Sequence, residues 1–179
     1  MTTERGRNLI LVGMMGAGKT SVGRLLARRL KRTFYDSDEE IERRCGVRVT
    51  VIFDIEGEAG FRARESQAIA DLCALDEAVI ATGGGAVLAE ANRSMIAARG
   101  TVVYLHARPV HLWHRLRHDR NRPLLATPDP QRRLEDLYAA RDPLYREVAD
   151  LVLDTGRQSV QALAKDLLAR LDAECKLSV

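Results

Sequence analysis

The sequence has few aromatic side chains and no long apolar run. Aromatic residues make up 4 % of the 179 positions, and no apolar stretch approaches the ~20 residues that a membrane-spanning helix needs. A nucleic-acid surface would combine a basic face with aromatic residues, whereas acidic residues are interspersed among the basic ones here and the net charge is only +3. We therefore expect neither a membrane nor a nucleic acid as a partner.

Cysteine and lysine are also scarce. Cys45, Cys73 and Cys175 lie far apart and form no metal-binding or redox motif, which is typical of reduced thiols in a reducing compartment. Residues 1–7 are polar and lack the apolar segment of a signal peptide, so we expect a cytoplasmic protein. Only four of the 28 basic residues are lysine, and arginine is the side chain better suited to carboxylate and phosphate groups.

One stretch matches a phosphate-binding motif at every fixed position. Residues 13–20 read GMMGAGKT, which fits the pattern G-x-x-x-x-G-K-[ST]. The apolar run at residues 8–12 predicts a buried strand before it, and residues 21–30 predict a helix after it. In this context backbone N–H groups bind phosphate oxygens, Lys19 reaches the β- and γ-phosphates, and the Thr20 hydroxyl binds Mg²⁺. The alternative is a glycine-rich turn without a ligand.

The rest of the chain alternates predicted strands with predicted helices. The strands are expected at residues 9–12, 33–35, 78–81, 101–105 and 150–153. The helices are expected at residues 21–31, 38–44, 58–75, 88–99, 110–117, 131–141 and 159–171. This alternation predicts one α/β domain, in which helices cover both faces of a parallel sheet and ligands bind at the carboxyl ends of the strands.

Two polar clusters follow predicted strands and would share that edge of the sheet. Asp36 and Asp38 follow the second strand, where one can meet Mg²⁺ or its water shell while the other accepts hydrogen bonds from substrate hydroxyls. Alternatively, Asp38 caps the following helix. Gly83, Gly84 and Gly85 follow the third strand, where a glycine triplet indicates either close approach of the backbone to a ligand or a structural turn.

Three arginines outside the motif each leave two interpretations open. Arg62 can enter a site or pair with Glu58 and Glu65 on a helix surface. Arg122 belongs to a basic run that leads into a proline-rich interval, and it can stabilise charge on a transferred phosphoryl group or remain solvated. Arg141 precedes a proline, where it can enter a site or stabilise the C-terminus of a helix.

Six motifs, in this order, resemble the shikimate kinase family. They are GMMGAGKT at 13–20, FYDSD at 34–38, IFDIEGEAGFR at 52–62, GGG at 83–85, RPLL at 122–125 and RDPLY at 141–145. The resemblance covers residues 9–171. It implies a three-layer α/β/α P-loop fold, similar to nucleoside monophosphate kinases, with a five-stranded parallel sheet in the order 2-3-1-4-5. It also implies a single kinase domain over residues 1–179, with an acceptor-binding subdomain at 36–64 and a lid at 117–131.

The resemblance further implies an activity and its nucleotide site. The activity is transfer of the ATP γ-phosphoryl group to the 3-hydroxyl of shikimate, in aromatic amino acid and chorismate biosynthesis. We expect a monomer that uses Mg²⁺ as cofactor and ATP as co-substrate. The catalytic residues that the family implies are Lys19, Asp36, Asp38 and Arg122. The metal would be held by Thr20 and, through water, by Asp36. The implied nucleotide-binding residues are Gly16, Ala17, Gly18, Lys19, Thr20, Ser21, Arg115, Arg122 and Arg157.

The acceptor site follows from the same resemblance. The implied substrate-binding residues are Asp38, Phe53, Phe61, Arg62, Gly83, Gly84, Gly85 and Arg141. Arg62 and Arg141 match the pair that binds the substrate carboxylate, and Asp38 matches the group that receives the hydroxyls. The chain departs from some members at Gln158 and Ser159, which replace a proline beside the adenine. Two alternatives are a related small-molecule kinase, such as a gluconate kinase, and a nucleotide-binding module without catalysis.

Overall fold

A computed structural model describes the backbone of residues 8–177 and the side chains of residues 8–173. The N-terminal segment 1–7, on which the cytoplasmic expectation rests, and the side chain of Cys175 lie outside the described residues. Within residues 8–177, no helix is both long and apolar enough to cross a membrane.

Five parallel strands form one sheet in the order β2-β3-β1-β4-β5. Its register aligns Ile10 of β1 with Ile80 of β3 on one side and with Val102 of β4 on the other. The predicted fold class and strand order are thus confirmed. The strands are β1 (Asn8–Val12), β2 (Phe34–Asp36), β3 (Val79–Ala81), β4 (Gly100–His106) and β5 (Leu151–Asp154).

The central strands β1 and β3 are apolar except for Asn8, because helices cover both of their faces. Every residue of β1 and β3 is buried, whereas the edge strands β2 and β5 are only partly covered. The helices within the described residues are α1 (Lys19–Leu30), α2 (Ser37–Cys45), α3 (Val49–Cys73), α4 (Glu90–Arg99), α5 (Pro109–Leu116), α6 (Pro130–Val148) and α7 (Val160–Leu177). Two single 3-10 turns lie at Ala86–Leu88 and Pro123–Leu125.

Helix α6 is longer than predicted. The sequence places a helix end at residue 141 because Pro143 lacks a backbone N–H, yet α6 continues through Pro143 to Val148. Tyr145 is fully buried and Val148 is almost so. Their burial offsets the backbone hydrogen bond that Pro143 cannot donate. Arg141 therefore lies inside a helix, and its predicted role at a helix C-terminus is wrong.

Helix α3 also departs from its predicted bounds, because it begins at Val49 rather than at residue 58. Gly57 interrupts it with φ 71° and ψ −174°, a kink between two helical segments. The sequence reads Gly57 as a break and thereby misses the first segment. The kink folds that segment back, so that the ring of Phe53 packs 4.8 Å from the ring of Phe61. Together with Ile41 and Ile52 these rings belong to a small apolar cluster separate from the main core.

We expect Gly57→Ala to lower the free energy of unfolding by about 1–3 kcal/mol, because its φ and ψ lie in a region that only glycine populates readily. Gly46→Ala is the matched control. A Cβ atom would have open space at both positions, but Gly46 has φ 70° and ψ 9°, in the milder left-handed helical region. Urea unfolding measures both variants. If Gly57→Ala lost as little free energy of unfolding as Gly46→Ala, or less, the assignment of strain to this kink would be contradicted.

Candidate active site

A cavity of about 560 Å³ opens where β1, β2 and β3 end at their carboxyl edge. It brings together segments that are far apart in the sequence, as the parallel sheet predicts. Most of the predicted site residues line it, namely Gly16, Gly18, Lys19, Thr20, Ser21, Asp36, Asp38, Phe53, Phe61, Arg62, Gly83, Gly84, Gly85, Arg122 and Arg141.

Three predicted nucleotide-binding residues do not line this cavity. Ala17 is buried, and its backbone N–H donates to the Met14 carbonyl at 3.1 Å. Arg115 donates to the carbonyl oxygens of Gly16 and Gly156, each at 2.9 Å, so it holds the loop after β5 against residues 13–20. Arg157 lies on that loop and is exposed. The contacts of these three residues with a nucleotide remain predictions.

Residues 13–20, called the phosphate loop from here on, wrap around the Lys19 side chain. Lys19 Nζ donates to the carbonyl oxygens of Gly13 at 2.7 Å and Met14 at 2.9 Å. Gly18 precedes α1 with φ 99°, a conformation that a side chain would strain. Burial lowers the pKa of Lys19 to about 8, although the charges of Asp36 and Asp38 raise it. The lysine is therefore a desolvated cation at a helix start, which is a suitable place for phosphate.

Asp36, rather than Asp38, caps helix α2. Its Oδ1 accepts from the backbone N–H groups of Asp38 at 3.0 Å and Glu39 at 3.4 Å. Its Oδ2 accepts from the Thr20 hydroxyl at 2.7 Å. The alternative in which Asp38 caps the helix is therefore wrong. One carboxylate instead joins the phosphate loop to the start of α2 and leaves the Asp38 side chain available to the cavity.

Asp38 is held in a setting that favours proton uptake. Its Oδ1 is buried and has no hydrogen-bond partner. Burial raises the pKa of Asp38 to about 7, with further increases from the negative charges of Asp36 and Glu65, whereas Lys19 and Arg122 lower it. A carboxylate with a pKa near neutrality is matched to accept a proton from a hydroxyl group.

Arg62 fulfils both of its sequence interpretations. Its guanidinium donates to Glu65 Oε2 at 2.7 Å and to Glu58 Oε1 at 3.1 Å, and the same side chain lines the cavity. It also lies over the Phe61 ring, with Cζ 5.2 Å from the centroid. Arg64 instead pairs with Glu56 on the exposed surface, so only one of the two neighbouring arginines enters the site.

Arg141 is a buried cation without a carboxylate partner. Its side chain is 2 % exposed, and within residues 8–173 no acidic oxygen comes within ion-pair distance of it. Its Nη1 is buried and has no hydrogen-bond partner. Burial lowers the pKa of Arg141, and the charge of Arg62 lowers it further, whereas the negative charge of Glu65 raises it. A buried guanidinium is costly unless it is paired, so this position requires an anion.

The glycine triplet is a loop of close approach. A Cβ atom at Gly83 would lie 2.6 Å from Glu65 Oε1 and 2.8 Å from Asp38 Oδ1, and one at Gly85 would lie within 2.4 Å of the Arg62 guanidinium. A side chain at Gly83 or Gly85 would therefore collide with the charged groups of the cavity. The Gly83 N–H is fixed by donation to Ser37 Oγ at 2.8 Å.

Arg122 reaches the cavity from the segment between α5 and α6. Its Nε donates to Asp119 Oδ2 at 3.0 Å, and Asp119, Asn121, Pro123 and Leu124 line the same side of the cavity. Leu124 and Leu125 pack against the main core and anchor this segment.

Sequence reasoning missed two groups that shape the site. Glu65 is 1 % exposed and its Oε1 has no partner, but the i,i+3 spacing from Arg62 predicted only a surface pair. Tyr145 is fully buried one helical turn after Arg141, and its hydroxyl donates to the Gly84 carbonyl. The four-residue spacing could have indicated Tyr145, but only if α6 had been predicted to continue through Pro143.

Comparisons with known proteins agree with this site. A family model described as shikimate kinase matches residues 15–172. A shikimate kinase from Cupriavidus pinatubonensis is 59 % identical over 170 residues, which cover 94 % of this chain and 88 % of that protein. A solved structure of shikimate kinase from Acinetobacter baumannii in complex with shikimate is 44 % identical, with a TM-score of 0.92 and 96 % of each chain covered. A gluconokinase from Sinorhizobium meliloti, 19 % identical with a TM-score of 0.61 and 97 % of each chain covered, shares the fold alone.

We expect replacement of Lys19 by Met to change how stability depends on pH. The folded pKa of about 8 lies below the ordinary 10.5, so between these values the unfolded chain binds more protons and the Lys19 contribution to stability rises with pH. Between pH 8 and 10.5 the free energy of unfolding of the wild type should therefore rise by about 3 kcal/mol relative to that of Lys19→Met. Urea unfolding of ligand-free protein measures the difference, with Lys31→Met as the exposed control. If the free energies of unfolding of wild type and Lys19→Met changed with pH in parallel, the lowered pKa of the buried Lys19 would be contradicted.

Proposed function

Because this chain belongs to the shikimate kinase family, we propose that it transfers the γ-phosphoryl group of ATP to the 3-hydroxyl of shikimate, giving shikimate 3-phosphate and ADP. The observation that carries the proposal is the buried, unpaired Arg141 guanidinium beside Arg62, in one cavity with the phosphate loop. Two arginines suit a carboxylate, and the phosphate loop suits a nucleotide.

The nucleotide half of the cavity binds the polyphosphate. The backbone N–H groups of the phosphate loop and the start of α1 face the phosphates, and Lys19 exchanges its bonds to the Gly13 and Met14 carbonyls for phosphate oxygens. Arg122 faces the γ-phosphoryl group from the segment 117–131, which we propose as a lid. Closure of a lid excludes water, which would otherwise accept the phosphoryl group.

Mg²⁺ fits the Thr20 and Asp36 side chains. Both offer oxygen atoms, 2.7 Å apart, at the edge of the phosphate loop. Within the described residues no group of three or more His, Cys, Asp or Glu side chains is arranged as a metal cage. Such a sparse donor set is typical of Mg²⁺, which takes its remaining ligands from water and substrate phosphates. When bound, the ion neutralises charge on the β- and γ-phosphate oxygens.

The acceptor half binds and activates the hydroxyl. Arg62 and Arg141 hold the shikimate carboxylate, while Phe53, Phe61 and the glycine triplet enclose the ring. Asp38 orients the 3-hydroxyl and takes its proton as the oxygen bonds to the γ-phosphorus. The bond from that phosphorus to the β-phosphate bridging oxygen breaks, and ADP leaves. Positioning and electrostatic stabilisation suffice for such a transfer, without a covalent enzyme intermediate. The acceptor-binding subdomain at 36–64, the monomeric state and the cytoplasmic location belong to this proposal.

A coupled ADP-release assay tests the proposal with shikimate, gluconate and a nucleoside monophosphate as acceptors. With Mg·ATP as the phosphoryl donor, we expect turnover with shikimate and none with the other two acceptors. Turnover only with gluconate would instead identify the protein as a related small-molecule kinase. Tight ATP binding without phosphorylation of any acceptor would identify it as a nucleotide-binding module without catalysis.

We expect Arg141→Met to raise the KM for shikimate about 10- to 100-fold, because a hydrogen bond to a charged group contributes about 1.5–3 kcal/mol. The KM for ATP should stay within about twofold, since Arg141 binds no phosphate. Arg146→Met is the control on the same helix, where the arginine is half-exposed and pairs with Asp142. Initial-rate kinetics with both substrates varied measure the two constants. Equal increases in both would place Arg141 in the nucleotide half.

A further inference from the structure

The hydroxyl of Tyr145 lies where the acceptor site meets the phosphate loop. It donates to the Gly84 carbonyl and lies 3.7 Å from Met14 Sδ. The side chain is fully buried one helical turn after Arg141 in α6. Burial raises the pKa of the phenol, whereas the charge of Arg141 lowers it. A single neutral hydroxyl therefore contacts the glycine triplet and the phosphate loop, close to the buried arginine.

The Gly84 peptide connects this hydroxyl to Arg141. A phenol has one proton to donate, and the Tyr145 hydroxyl donates it to the Gly84 carbonyl. A Cβ atom on Gly84 would lie 3.4 Å from Arg141 Nη1, an atom that is buried and has no hydrogen-bond partner. The hydroxyl thereby fixes the peptide that packs against the guanidinium.

We propose that Tyr145 is a positioning residue for the acceptor carboxylate, acting through the Gly84 peptide that packs against Arg141. This inference rests on the proposed function. Without the hydroxyl, the Gly84 carbonyl loses its donor, and the loop beside the Arg141 guanidinium is no longer fixed. The acceptor then binds less well, while the nucleotide half is unchanged.

The core offers a matched control for the loss of one buried hydroxyl. Tyr104 is also fully buried, and its ring centroid lies 4.9 Å from that of Tyr145. Its hydroxyl donates to Asp142 Oδ1 at 2.8 Å, and neither residue lines the cavity. Tyr104→Phe therefore removes a tyrosine hydrogen bond from the same core, one that goes to a carboxylate, without removing a contact of Gly84.

The test is initial-rate kinetics of Tyr145→Phe and Tyr104→Phe, with both substrates varied and thermal melting recorded. We expect Tyr145→Phe to raise the KM for shikimate about 3- to 10-fold, the range of one neutral hydrogen bond, and to leave kcat and the KM for ATP within about twofold. Tyr104→Phe should lower the melting temperature without changing either KM. In an Arg141→Met background, Tyr145→Phe should change the shikimate KM less than twofold, since its effect passes through Arg141.

An unchanged shikimate KM in Tyr145→Phe, with normal wild-type turnover, would overturn this inference alone. Equal increases in both KM values, or the same increase in Tyr104→Phe, would reduce Tyr145 to a structural role and also overturn it. Absence of wild-type turnover with shikimate would overturn the proposed function and this inference with it.

A second measurement keeps Tyr145 intact and serves even if Tyr145→Phe does not fold. The chain has four tyrosines, so NMR of protein carrying ¹³Cζ-tyrosine gives four signals. Single Phe variants at Tyr35, Tyr104 and Tyr138 assign three of them and leave Tyr145 by difference. Saturation with shikimate should shift the Tyr145 signal more than saturation with ADP does, because the hydroxyl bonds to the Gly84 carbonyl of the acceptor site. A Tyr145 signal that shikimate leaves in place would contradict the inference.

Discussion

The site depends on the burial of one positive charge that no carboxylate contacts at ion-pair distance. Arg141 lies inside α6, almost fully covered, and within the described residues it has no acidic partner. Leaving a charge in this state costs several kcal/mol, so the fold must hold the guanidinium in place by other means. It does so through the continuation of α6 past Pro143, which buries Tyr145 beside Arg141. An acceptor with a carboxylate group supplies the missing charge and recovers part of this cost.

The two halves of the site share a wall, which places the acceptor close to the nucleotide. A Cβ atom on Gly84 would lie 3.4 Å from Arg141 Nη1, 3.4 Å from the Met15 backbone nitrogen and 3.6 Å from the Gly13 carbonyl oxygen. The acceptor loop therefore packs directly on the phosphate loop. Asp36 provides a second connection, because one carboxylate accepts from Thr20 and caps the helix that carries Asp38. Proximity of this kind is the main contribution that a protein makes to phosphoryl transfer.

Much of this arrangement could be predicted, because it follows from local patterns and sheet topology. The phosphate loop, the strand order and the convergence of Asp38, Arg62 and the glycine triplet were all expected. The helix bounds were less predictable, because Gly57 and Pro143 are local breaks that tertiary burial overrides. The burial of Glu65 and the bond from the Tyr145 hydroxyl to the Gly84 carbonyl depend on packing between distant segments, which spacing along the chain does not encode.

A crystal structure with ADP, Mg²⁺ and shikimate bound tests the role of Arg141 most directly. We expect the shikimate carboxylate within hydrogen-bonding distance of the guanidinium groups of Arg62 and Arg141, with the 3-hydroxyl at Asp38 and directed toward the phosphate loop. A carboxylate bound elsewhere, with Arg141 still unpaired, would contradict it.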